Sequence, residues 1–126
     1  MERVKFTAEF IFRASPAIVY QFLTDPACIT RWFCEEVDVV DQTYTFIWND
    51  SAEIAELIED KEGDLVRFVW EDAEDEDEYL EFDISKSPVT GETIVYVTDF
   101  ADHDEVDDQR SLWETQLARM KAEMGG

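Results

Sequence analysis

Residues 102–124, DHDEVDDQRSLWETQLARMKAEM, decide how the rest of the chain is read. Val106, Trp113, Leu117, Met120 and Met124 recur at steps of three and four, with one gap of seven, so they share one face of a helix. Asp107, Asp108, Arg110, Glu114, Arg119, Lys121 and Glu123 lie between them and form a solvated face. Asp102 stands as a candidate N-cap, with Glu105 three residues on in the manner of a capping box. Acids at that end and Arg119 and Lys121 at the other suit the helix dipole. Gly125 and Gly126 end the segment. A single long amphipathic helix needs an apolar surface to lie on.

Strands supply that surface. Val4, Phe6, Ala8, Phe10 and Phe12 alternate with Lys5, Thr7, Glu9 and Arg13, the pattern of a half-buried strand over residues 3–13. Ser15-Pro16 then reads as an N-cap and first helical position, and Ile18, Val19, Phe22 and Leu23 give a short helix. Asp25-Pro26 repeats the signal and opens a second short helix toward Trp32. Further strands are expected at 37–40, 44–48, 52–58, 65–71, 79–85 and 93–100, separated by turn-forming residues such as Asn49-Asp50 and Thr90-Gly91. Short regular spacing without intervening helices means antiparallel hairpins rather than βαβ units. The expected architecture is α+β. A curved antiparallel sheet of about six to seven strands wraps the C-terminal helix, with two short helices after the first strand. The chain reads as one domain over residues 1–126, without internal repeat or linker.

Charge narrows the function. Asp plus Glu number 32 against 10 Lys plus Arg, a formal net charge of −22. Such a surface repels phosphate backbones and anionic headgroups, which argues against nucleic-acid binding and against a role at acidic membranes. No apolar run approaches the ~18 residues of a membrane span. The N-terminus alternates and lacks a signal peptide's apolar block, so a cytoplasmic location is expected. Cys28 and Cys34 fit that compartment as free thiols, their spacing matching neither a redox pair nor a zinc knuckle.

The run Ser15-Pro16-Ala17-Ile18-Val19-Tyr20, then Leu23-Thr24-Asp25-Pro26, then Trp32-Phe33, resembles the opening of the START-like (SRPBCC, birch-pollen-allergen-like) helix-grip superfamily. The nearest branch is similar to the homologues of the heat-shock-protein-90 ATPase activator. Phe68-Val69-Trp70-Glu71, Gly91-Glu92-Thr93, and Trp113 with Leu117 extend the likeness almost end to end. The chain departs from the pattern at Cys34-Glu35-Glu36, at Gln42-Thr43-Tyr44 and at Ser111-Leu112, where glycines are usual. The resemblance implies a scaffold that often holds a hydrophobic small molecule in a central cavity. Lipid carriers, polyketide cyclases and chaperone regulators share it, so the fold alone does not choose among them.

An aromatic set is the candidate site. Phe46 and Trp48 share one strand face, as do Phe68 and Trp70, and Tyr96 stands on the last strand. Trp113, Leu117 and Met120 lie on the helix face that opposes them. These side chains either line a pocket or fill a core, and side-chain volume decides which. The acids at 71–78 lack the glycine turn and spacing of a calcium loop and read as a solvated hairpin. His103 is the only histidine, with no second ligand at metal spacing. No cofactor or metal is called for, and no nucleophile triad can be assembled. The expected function is binding of a small hydrophobic ligand, neutral or cationic, in the central cavity without catalysis. The alternatives are an acidic protein-interaction module regulating a chaperone or another partner, and a cyclase or dehydratase. Oligomeric state is left open.

Overall fold

A computed structural model describes residues 2–73 and 77–125 of the chain. The alternating N-terminal segment forms β1 (Arg3–Phe12), and the two Pro-initiated segments form α1 (Pro16–Thr24) and α2 (Pro26–Ile29). Then come β2 (Glu36–Val40), β3 (Thr43–Trp48), β4 (Ser51–Lys61), β5 (Leu65–Trp70), β6 (Leu80–Lys86), β7 (Thr93–Asp102) and α3 (Val106–Glu123). The strands make one seven-stranded sheet in the order β1-β7-β6-β5-β4-β3-β2. Every neighbouring pair is antiparallel. This is the expected α+β helix-grip architecture, with β2 to β7 as a meander and β1 closing beside β7.

Local chemistry explains the joints. Ser15 Oγ accepts the Ile18 N–H at 3.4 Å, and Asp25 Oδ1 accepts the Ala27 N–H at 3.0 Å. The Asp25 N–H also donates to the Gln21 carbonyl at 2.8 Å, so one residue ends α1 and starts α2. Asp41 adopts φ 56° in the tight β2–β3 turn, a left-handed position that Asp tolerates better than most residues. Between β4 and β5 the register shifts between Leu57 and Glu59, leaving Ile58 as the extra residue. Such a bulge bends and twists its strand, which suits a sheet that must curve round a helix.

The helix start differs from expectation. β7 claims Asp102, which pairs with Arg3 across the β1–β7 ladder and accepts Arg3 Nη1 at 3.1 Å. The helix begins at Val106 after a turn closed by the Glu105 N–H on the Asp102 carbonyl, and its N-cap, Glu105, makes no side-chain capping bond. Trp113, Leu117 and Met120 are buried under the sheet. The acidic run also differs from a wholly solvated loop. Positions 74–76 lie outside the described residues, but Glu78 is buried and receives Arg3 Nε and Nη2 at 2.8 and 2.7 Å.

Beneath β3, β5 and β6 the interior is filled by rings, while an open groove of about 560 Å³ separates β1 from α3. Phe46 lies 5.1 Å from Phe33, 6.0 Å from Phe68 and 5.7 Å from Trp70, centroid to centroid. Trp113 stacks on Phe33 at 6.2 Å and meets Phe82 edge-on at 5.7 Å. Amid Leu23, Ile29, Phe33, Phe46, Phe68 and Phe82 a void of about 20 Å³ remains. That is room for one water at most, and its apolar lining would keep it dry.

Candidate ligand-binding cleft

A cleft opens at one end of this packed interior. On β3 and β5 the inward-facing series Tyr44, Phe46, Trp48 and Val66, Phe68, Trp70 run out at the two tryptophans. No further inward residue on those strands covers Trp48 and Trp70, and both stay half-buried. Together with Phe33, the ends of β1 and β7 and the start of α3, they line a cleft of about 380 Å³. That volume falls within the ~300–1,000 Å³ typical of small-ligand sites.

The tryptophans differ in what their N–H groups can do. Trp48 donates to the Phe33 carbonyl at 2.9 Å, Trp32 to the Phe22 carbonyl at 2.8 Å, and Trp113 to Asp99 Oδ2 at 2.8 Å. The Trp70 indole N–H has no hydrogen-bond partner among the described residues. Trp70 is thus the indole with both a partly exposed face and an unused donor.

Asp99 is the polar member of the cleft. Its inward register follows from β7, where Val95, Val97, Asp99 and Ala101 alternate toward the helix. The carboxylate takes the Phe100 N–H at 2.8 Å, the Trp113 indole N–H at 2.8 Å and the Gln109 amide at 3.3 Å. Burial drives its pKa up. The three donors and the more distant charge of Arg3 pull it back by favouring the ionised form, and the balance stays raised. Arg3 also faces the cleft, held by Glu78 and by Asp102.

The sequence-predicted site residues separate into three groups. Trp48, Trp70 and Trp113 border the cleft. Phe46, Phe68, Leu117 and Met120 are packed in the core behind it. Tyr96 is on the opposite face of the sheet, between Glu9 and Asp83, and is 38% exposed. Its orientation was readable in principle, since buried Val95 and Val97 flank it and alternate residues face opposite ways. The same alternation, carried two residues past Val97, would have found Asp99. Phe33 had no such signal, because it lies in the turn after α2.

Outside the cleft, Tyr44 and Tyr20 use their hydroxyls to tie elements together. The Tyr44 hydroxyl donates to the Thr24 carbonyl at 3.0 Å and ties the sheet to α1. Tyr20 donates to Asp60, and burial with that bond pushes its hydroxyl up to about 12. Cys28 and Cys34 are free and buried. Burial raises both thiol pKa values, that of Cys34 to about 11. Among the described residues no group of three or more His, Cys, Asp or Glu side chains could hold a metal ion. Among the described residues no helix is long and apolar enough to cross a membrane.

The model of the START-like superfamily domain matches residues 1–126. A Bacteroides fragilis protein known as BfR322 is similar at 27% identity and a TM-score of 0.70, over 98% of this chain and 93% of that one. The Aha1 dimer from Colwellia psychrerythraea aligns with a TM-score of 0.80 at 18% identity, over 94% and 93% of the two chains. CalU16 from Micromonospora echinospora aligns with a TM-score of 0.70 at 15% identity, over 97% of this chain and 73% of its own. At such identities the last two likenesses speak for the fold alone. No curated protein matches the chain.

Proposed function

Because the chain belongs to the START-like superfamily, whose fold commonly binds hydrophobic molecules, we propose that it binds a small amphipathic ligand without chemically changing it. The binding place is the cleft at the end of the sheet, not the filled space beneath it. One observation carries this reading: the indoles of Trp48 and Trp70 stand half-buried at the mouth of a cleft of about 380 Å³. At ~25 cal/mol per Å² of apolar surface, a ligand burying a few hundred Å² gains several kcal/mol before entropy losses, which places affinity on the order of micromolar.

Tryptophan emission tests it. A panel of neutral and cationic amphiphiles should perturb the fluorescence saturably and raise Tm. Trp48→Phe and Trp70→Phe should each reduce the optical response, whereas Trp32→Phe, altering an indole buried away from the cleft, should keep it. A panel that moves neither emission nor Tm would end the carrier reading. The filled interior would then favour the second reading, a protein-interaction module, for which a binding partner rather than a small molecule would shift Tm.

A further inference from the structure

Asp99 occupies an inward position where its neighbours on β7 are Val95, Val97 and Ala101. Only 9% of the residue is exposed. Its three hydrogen-bond donors, from Phe100, Gln109 and Trp113, are all neutral. No Lys, Arg or His nitrogen lies within 4 Å of it among the described residues. The cleft's own cation, Arg3, acts on it only from a distance, held by Glu78 through two nitrogens and by Asp102 through the third. A nearly buried carboxylate is therefore solvated by dipoles but left without a counter-charge in contact, an arrangement that burial penalises.

Resting on the reading of the cleft as a ligand site, we infer that its ligand is an organic ammonium ion, whose cation supplies the contact counter-charge that Asp99 lacks while its apolar body lies against Trp48 and Trp70. The donors on Asp99 use three of the roughly four lone-pair directions of a carboxylate, leaving one for an N–H or a close ion contact. Half-buried indoles attract cations through their π faces, most strongly where water is excluded. Glu53, Asp72 and Glu105 add negative charge around the same opening. An anionic ligand meets the same field as a barrier. A neutral one gains burial and a hydrogen bond, without the charge pair.

Three phenyl compounds of nearly equal size decide the matter by calorimetry on the full chain: 2-phenylethylammonium, 2-phenylethanol and 3-phenylpropanoate. The ammonium should bind at least about tenfold more tightly than the alcohol, the carboxylate least of all. Raising salt to about 0.5 M should narrow the gap only in part, since a buried pair is poorly screened. Asp99→Asn should collapse the preference for the ammonium while leaving the alcohol's affinity in place. Glu92→Gln, which removes the same charge in the β6–β7 connection at the other end of β7, should leave the preference intact. Equal affinity for ammonium and alcohol would overturn the inference and leave the cleft reading standing. Loss of preference in Glu92→Gln as large as in Asp99→Asn would also overturn it, by tracing the effect to overall charge. If none of the three compounds binds and the wider panel also fails, both readings fall together. Should Asp99→Asn not fold, the ligand series and its salt dependence on the unaltered chain still decide the question.

Discussion

Asp99 and Arg3 show how differently two cleft charges bear on stability. Burial raises the Asp99 carboxyl above its ordinary value, so the folded chain holds that proton more tightly than the unfolded chain does. The native state then binds more protons, and this group's contribution to stability falls as pH rises from the ordinary carboxylate range through the raised value. Comparing Tm of the unaltered chain and of Asp99→Asn across that window should show the unaltered chain gaining on the variant as pH falls; a constant difference would show that the shift is absent. Arg3 works the other way, because it compensates the buried Glu78 through two hydrogen bonds. Arg3→Met should destabilise by about 2–3 kcal/mol in urea unfolding, since it strands that carboxylate, and Glu78→Gln in the same background should recover part of the loss.

At the scale of elements, α3 is held by its packing more than by its ends. Leu117 is 1% exposed in the stripe that faces the sheet, whereas Leu112, one helical face away, is 48% exposed. Leu117→Ala should cost about 2–5 kcal/mol, while Leu112→Ala should stay within about 0.5 kcal/mol, as read from denaturant midpoints. The N-terminus of α3 is the weak point: Glu105 caps it without a side-chain bond, and its own carboxyl is raised by its hydrogen bond to Asp102 and the charge there. Glu105→Ser would give the helix a hydroxyl acceptor and remove one member of that acidic pair, so a rise in Tm is expected. The buried thiols of α2 and the following turn belong to the same packed layer. Cys34, pushed up to about 11, should react with a thiol reagent at pH 8 only as fast as the chain opens, and promptly once it is unfolded.

The whole molecule is dominated by its charge of −22, which the salt bridges among the described residues compensate at only a few points. Self-repulsion of that size is screened by salt, so Tm should climb through the first few tenths molar of sodium chloride. A flat profile would mean that local pairing has already neutralised the field. The same charge predicts no binding to duplex or single-stranded DNA even at low ionic strength, which a gel-shift or anisotropy titration would check.

Element order and the buried face of α3 were legible in the chain alone, because each is written as a period: two residues for β1 and β3, three to four for α3. The pairing of β1 with β7, some ninety residues apart, was not, since a period says which face is buried and not which strand lies alongside. Ser15-Pro16 and Asp25-Pro26 marked their helix starts through chemistry local to a few residues. Asp102 escaped that logic, since its carboxylate is claimed by Arg3, nearly a hundred positions away in sequence. The site divided in the same manner. Periodicity identified Trp48, Trp70 and Trp113 as inward-facing, but it could not say that Phe33 from the turn after α2 would stack on Trp113 and help to fill the middle. Whether aromatic side chains leave a cavity depends on the sum of their volumes in three dimensions, a quantity no one-dimensional pattern carries. Nor could spacing reveal that Asp99 is enclosed by neutral donors without a cation in contact, because that environment is assembled from both β7 and α3 only when the sheet closes on its helix.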